Sequence, residues 1–212
     1  MIERRAGGFT LLELMLALSV LAVMVVIVSG TFRVGVRAWE KGESDIETRH
    51  RERIVLEQVR RQMASTSTRP LLNNGQDPFF PLGTEKRLQF ISEVPVLPGD
   101  AFGLVFVEYR VERGPEDLAV LKIFERNLVF LEESFLDHEP DEDQFLELLP
   151  GLKDASFAYR SRPEEGQEGV WQEEWQPESE KKFPRGIKLS VTPAGPAPAV
   201  SIIAGIEWQE GS

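Results

Sequence analysis

The sequence contains no cysteine, so it can form neither a disulfide nor a metal site built on thiolates. Its two histidines, His50 and His138, lie in different segments of the chain. A zinc or general-base centre would need further groups at suitable spacing beside a histidine, and the sequence offers none. It also lacks a nucleophile elbow, a phosphate-binding loop and a metalloprotease motif. These absences predict a protein that is not an enzyme and that needs no metal and no cofactor.

Basic residues are in the minority, with 24 Lys and Arg against 35 Asp and Glu and a formal net charge of −11. Proteins that bind nucleic acid need a basic surface to neutralise phosphates, so this balance argues against a nucleic-acid partner. The hydrophobic content of 42% and the charged content of 28% are those of an ordinary globular protein. The chain is therefore long and apolar enough to include one soluble domain with its own core.

Charge is missing altogether from residues 14–32, a run of 19 residues. A helix that crosses a membrane needs about 20 apolar residues, each rising ~1.5 Å. Arg4 and Arg5 precede the run, and such a positive patch favours the cytoplasmic side of a membrane. One acid, Glu13, lies at the start of the run. A carboxylate is costly there, so it calls for a cationic partner or a functional role.

Two ordinary targeting segments are alternative interpretations of this pattern. Positive residues, an apolar run and small residues also describe a cleaved secretory signal, with Val28-Ser29-Gly30 as its cleavage site. An uncleaved signal anchor of no special kind is the other alternative. Glu13 weakens an apolar signal core, and the helical pattern does not stop at Gly30. We therefore favour a dedicated membrane anchor.

The segment Gly8-Phe9-Thr10-Leu11-Leu12-Glu13 resembles the N-terminus of type IV pilin-like proteins, in which a short basic leader ends in glycine. The resemblance implies that a prepilin peptidase cuts between Gly8 and Phe9 and methylates the new amine of Phe9. It also implies a role for Glu13 in assembly. The carboxylate of one subunit could neutralise the Phe9 amine of its neighbour, which would make a buried acid tolerable.

A long helix is predicted after the leader, because no proline occurs between Phe9 and Arg69. Two apolar stripes at helical spacing follow the span, one for neighbouring helices in an assembly and one for the chain's own globular domain. The first comprises Phe32, Val36, Trp39 and Ile46, and the second comprises Leu56, Val59 and Met63. Ser65–Pro70 should end the helix.

The remainder is predicted to be rich in β-strand, which makes the fold class α+β. Strand-like segments are 88–91, 103–112, 118–126, 155–160, 187–191 and 199–208, and Gly114-Pro115 favours a hairpin between the second and the third. Phe157 and Tyr159 should share one face of their strand. The predicted organisation is a leader at 1–8, a transmembrane part at 9–32, an outer helix at 33–68 and a globular domain at 69–212.

The C-terminal half resembles the J-type minor pseudopilins of type II secretion systems. The similarity rests on a strand, two tryptophans and a Phe-Pro-x-x-hydrophobic series, found here at 156–160, Trp171, Trp175 and 183–187. It implies a long helix packed on a β-rich domain, the pseudopilin fold. The helix would anchor the chain in the inner membrane by a single pass, with the globular domain in the periplasm.

The same resemblance implies a subunit near the tip of a short pseudopilus that supports the export of folded proteins. Its partners would be the I-type and K-type pseudopilins, the major pseudopilin, the prepilin peptidase and secreted cargo. The alternative is a minor pilin of a type IV pilus that serves adhesion or DNA uptake.

Two further features have competing interpretations. The acidic cluster 137–143 could hold calcium, but it departs from the EF-hand pattern, with Glu142 where glycine is required and Leu148 where glutamate is required. A solvated loop is the favoured interpretation. Trp171 and Trp175 could mark a partner-binding surface, although packing over the sheet is the commoner use of such tryptophans and is favoured here.

Overall fold

The computed structural model describes residues 10–68, 79–98, 103–130, 140–161, 169–176 and 183–207, without the side chains of 37, 38, 40–48 and 115. The chain divides into two compact units, Met1–Arg51 and Glu52–Ser212. The described part of the first unit is helical, and the second contains the last turns of the same helix and an antiparallel β-sheet. The predicted α+β class is confirmed.

Helix α1 spans Leu11–Ala64. Its end lies where the hydroxyl-rich segment 65–68 begins, slightly before the predicted limit at 68. The amide of Ser65 still reaches the carbonyls of Arg61 and Gln62, each at 3.1 Å, which satisfies part of the last turn. Thr66 then forms a bridge with Ser92 of the sheet. The chain therefore leaves the helix directly into the sheet.

The described strands form one sheet in which hydrogen-bonded neighbours are antiparallel. Its order is β1-β2-β3-β4-β5-β7-β8, with β6 paired to β5 off this path. The strands are β1 Leu82–Gly83, β2 Arg87–Ser92, β3 Val105–Arg113, β4 Ala119–Asn127, β5 Leu146–Arg160, β6 Trp171–Gln172, β7 Gly186–Pro193 and β8 Val200–Gly205.

Each of the six predicted strand segments overlaps a strand, although the last, 199–208, extends beyond β8, and the hairpin predicted at Gly114-Pro115 connects β3 to β4. Its turn includes Glu116 and Asp117, both with positive φ. The prediction that Phe157 and Tyr159 share a face is also confirmed, since each is 1% exposed. Alternation of apolar and polar residues therefore identified these strands correctly.

Strand β5 is longer than predicted, because residues 146–154 also belong to it. Pro150 and Gly151 lie inside that stretch, and both residues disfavour a strand in a reading from sequence alone. The sheet accommodates them with register shifts between β4 and β5 and with a positive φ of 70° at Gly151. The first half of β5 pairs with β4 and the second half with β7.

The main core lies between the end of α1 and one face of the sheet. Leu56, Val59 and Met63 are 8%, 0% and 0% exposed and belong to the same apolar cluster as the sheet residues. The predicted second stripe of the helix is thus confirmed as the face that packs on the globular domain. Burial of this kind stabilises a fold by about 1.5–3 kcal/mol for each large side chain.

A smaller cluster on the sheet contains Phe106, Phe124 and Phe145. Beside it, the carboxylate of Glu108 is fully buried and pairs with both Arg87 and Arg110. The guanidinium of Arg110 also lies 4.3 Å from the centre of the Phe145 ring. A buried carboxylate is tolerated only when its charge and its lone pairs are matched in this way.

Candidate functional site

The first described residues form the start of helix α1. Thr10 caps it: its Oγ1 accepts a hydrogen bond of 3.3 Å from the amide of Glu13, and its carbonyl accepts one of 3.2 Å from the amide of Leu14. Glu13 lies in the first turn of α1, where the helix dipole favours a negative charge. Its side chain is exposed, so the carboxylate is available to a group from another chain. Gly8 and Phe9 lie outside the described residues.

Residues 11–36 are helical, and the most apolar 18-residue stretch among them has a mean hydropathy of 2.9 and no buried residue. Leucine and valine side chains in this stretch are exposed by 38% to 79%. Two of its hydroxyls form hydrogen bonds within the helix, because Ser19 donates to the carbonyl of Leu16 at 2.8 Å and Thr31 to that of Ile27 at 3.0 Å. A helix with an apolar surface and internally bonded backbone groups is suited to lipid, which fits anchoring by a single pass.

The first predicted stripe lies on this same unit. Phe32, Val36 and Trp39 are exposed by 71%, 38% and 76%, and the side chain of Ile46 lies outside the description. These side chains are open to contact with other helices, as the assembly hypothesis requires. That contact stays a prediction.

The end of α1 is held by a buried polar network that the sequence analysis did not predict. Gln62 is fully buried; its Oε1 accepts a hydrogen bond from Tyr109, and its amide donates to the carbonyl of Val94 at 3.0 Å and to Glu125 at 2.5 Å. Glu125 also accepts from the amides of Val96 and Leu97 at 2.8 and 3.0 Å. Since buried polar groups must be paired, this network fixes the helix on the sheet.

Two tyrosines inside the sheet unit have shifted ionisation. Burial raises the pKa of the Tyr109 phenol well above its usual value, and the negative charge of Glu125 adds to this effect. Burial alone raises the pKa of Tyr159 above its usual value. Both phenols therefore stay neutral at physiological pH and serve as hydrogen-bond donors.

The two tryptophans have different environments. Trp175 is 4% exposed and belongs to the main core, and its backbone exchanges hydrogen bonds of 2.8 and 3.0 Å with Gly83. The packing interpretation therefore holds for Trp175. Trp171 is half-buried, and the cationic groups of Arg160 and Lys188 lie 5.2 and 4.9 Å from its ring. A role of either residue in partner binding stays a prediction.

The remaining candidates give no sign of a site in the part of the chain that the structure describes. His50 is exposed, and His138 lies outside the described residues. Of the acidic cluster 137–143, only residues 140–143 are described, and Asp141, Glu142 and Asp143 are exposed. Among the described residues, no group of three or more His, Cys, Asp or Glu side chains could hold a metal ion.

Comparison with known proteins supports the resemblance stated for the N-terminus and the one stated for the C-terminal half. The family model "Type II secretion system (T2SS), protein J" matches residues 30–202, and the model "Prokaryotic N-terminal methylation motif" matches residues 4–29. The chain is also similar to type II secretion system protein J of Xanthomonas campestris pv. campestris. The two are 25% identical over 203 residues, which cover 91% of this chain and 90% of the relative. The chain therefore belongs to the protein J family and is a minor pseudopilin of a type II secretion system.

Proposed function

We propose that this chain is a structural, non-catalytic subunit near the tip of a short periplasmic pseudopilus, which supports the export of folded proteins across the outer membrane. Membership of the family means that it interacts with other pseudopilins. The specific partners that we propose are the I-type and K-type pseudopilins and the major pseudopilin, together with the prepilin peptidase and secreted cargo. The helix 11–36 would hold the chain in the inner membrane, with the globular domain in the periplasm.

A single observation supports the proposal most directly. An exposed apolar helix carries a carboxylate, Glu13, in its first turn, within the segment 4–29 that matches an N-terminal methylation motif. Cleavage between Gly8 and Phe9 would retain the helix and create an amine at the membrane edge. The Glu13 carboxylate of one subunit would then pair with the Phe9 amine of the next, which offsets the cost of an acid in lipid.

Replacement of Glu13 tests this pairing. Glu13→Val should still insert and lose its leader, because the apolar run is intact, but should fail to join the pseudopilus. Glu52→Gln is the matched control, since it changes an acid of the same helix beyond the apolar run. Mass spectrometry identifies the N-terminal residue of the mature chain, and co-purification with the other pseudopilins measures assembly. Normal co-purification and normal secretion with Glu13→Val would refute the proposed role.

The N-terminus of the wild-type protein gives a second test. We expect a mature chain that begins with N-methylated Phe9. A membrane-bound protein that retains Met1, or one that begins beyond Gly30, would contradict processing of the pilin kind. Accessibility of the globular domain to protease in spheroplasts would test its periplasmic location.

A further inference from the structure

One edge of the sheet is open in the part of the chain that the structure describes. Strand β8 pairs with β7, from Gly186 opposite Gly205 to Val191 opposite Val200, without a register shift. No described strand pairs with its other side. An edge of this kind presents main-chain donors and acceptors that can pair with a strand from another chain.

The register identifies which groups lie at this edge. The amide of Ile206 donates to the carbonyl of Arg185 at 3.0 Å. In a regular antiparallel ladder, alternate residues bond to the same neighbour, so Ala204, Ile202 and Val200 also bond toward β7. The N–H and C=O groups of Ser201, Ile203 and Gly205 therefore point away from the sheet.

The usual protection of an edge strand is missing from β8. Natural edges are blocked by lysine, by proline, by a bulge or by inward-pointing charge, whereas the sequence Val-Ser-Ile-Ile-Ala-Gly has neither charge nor proline. Val200 and Ile203 are 41% and 50% exposed. An uncharged, partly apolar edge would promote aggregation if it had no partner, so its composition favours a specific partner.

A cationic patch lies beside this edge. Lys188 is directly opposite Ile203, so both side chains lie on the same face of the sheet. Lys188 and Arg160 are close to the Trp171 ring on this face, and neither forms a salt bridge within the described residues. In a chain with a net charge of −11, such a patch attracts a carboxylate from a partner.

We propose that β8 binds an extended segment of a neighbouring pseudopilin, which adds a strand to the sheet and places an acidic side chain near Lys188. This inference rests on the proposed assembly with other pseudopilins. A second copy of this chain is the poorer occupant, because its own β8 has no acid to offer. Each copy also carries the same strong negative charge, which opposes self-association.

A matched pair of substitutions at one position tests the main-chain contact. Ile203→Pro removes the outward N–H and leaves the ladder to β7 intact, whereas Ile203→Ala keeps the N–H and shortens the side chain. With the full-length protein in detergent, we expect Ile203→Pro to weaken binding to a partner pseudopilin by at least about tenfold, and Ile203→Ala by about threefold or less. Lys188→Glu should also weaken it, and more so at low salt. Equal affinities of the wild type and a folded Ile203→Pro variant would overturn the proposal.

Hydrogen exchange provides a measurement that needs no substitution. The amides of Ser201, Ile203 and Gly205 should exchange quickly in the free protein and slowly in the complex; unchanged exchange on binding would overturn the proposal. A homodimer that Ile203→Pro abolishes would overturn the choice of a neighbouring pseudopilin as occupant. Failure of the wild type to bind any pseudopilin would instead refute the proposed function, so the two failures are distinguishable.

Discussion

The hydroxyl of Tyr109 donates a hydrogen bond of 2.5 Å to Oε1 of Gln62, and both side chains are fully buried. Tyr109 belongs to strand β3 and Gln62 to the last turns of α1. The amide group of the same glutamine donates to Glu125 and to the carbonyl of Val94. One glutamine thus connects the helix, two strands and the segment after β2.

Tyr109→Phe should destabilise the sheet unit by about 1–3 kcal/mol, because it leaves the buried Oε1 of Gln62 without a donor. Urea unfolding of the detergent-solubilised chain, followed by tryptophan fluorescence, measures the free energy of unfolding. Ser190→Ala is a suitable control, since it removes a hydroxyl whose hydrogen bond to Ser201 is exposed. A loss no larger than that of the control would contradict the role given to this hydrogen bond.

Glu125→Gln should also destabilise the protein, by roughly 1.5–3 kcal/mol. The carboxylate accepts from Gln62, Val96 and Leu97 with both oxygens, whereas an amide would turn an NH₂ group toward one of these donors. The segment 94–97 should become mobile as a result. Amide hydrogen exchange of that segment measures the effect, and unchanged protection of Val96 and Leu97 would argue against it.

The stability of the sheet unit should fall steeply in alkali. The folded-state pKa values of Tyr109 and Tyr159 are raised, so the folded protein keeps both protons after the unfolded chain has lost them. Their contribution is complete below pH about 10 and declines above it by about 1.4 kcal/mol per pH unit for each tyrosine. Unfolding free energies measured across this range should show a shallower slope for Tyr159→Phe. An equal slope would contradict the assignment.

Gly83→Ala should be strongly destabilising, because an added Cβ would lie 2.1 Å from the ring and the hydroxyl oxygen of Tyr159. Tyr159 is 1% exposed, and its hydroxyl lies 2.9 Å from the carbonyl oxygen of Thr84, so the ring has little room to move. We expect a cost of about 1–3 kcal/mol or more. Gly205→Ala is the control, since a Cβ there meets nothing within 4 Å. Similar melting temperatures for the two variants would contradict the tight contact.

Much of this architecture was predictable from local pattern. The helical stripe of Leu56, Val59 and Met63 predicted the face of α1 that packs on the sheet, and it is buried as expected. Alternation identified strands such as Ala155–Arg160 because their side chains differ in polarity between the two faces. The leader motif and the aromatic series in the C-terminal half also indicated the family that the comparisons show.

Other features could not be predicted, because they depend on contacts between distant segments. Leu146–Asp154 looks irregular around Pro150 and Gly151, and only the pairing with β4 makes it a strand. Trp171 and Trp175 are alike in sequence context, yet one is half-buried among cations and the other is part of the core. The sequence does not indicate that Gln62 is buried, because a glutamine on a helix is usually exposed to solvent.

The sequence by itself determined the anchor, the class of fold and the family, because a long uncharged run, strand alternation and a contiguous motif are all local properties of the chain. The tertiary structure decided which polar groups are buried together and which edge of the sheet stays open. Gln62, Tyr109 and Glu125 are far apart in sequence and meet only once α1 is packed on the sheet. The exposed groups of β8 likewise follow from strand order, which no single segment encodes.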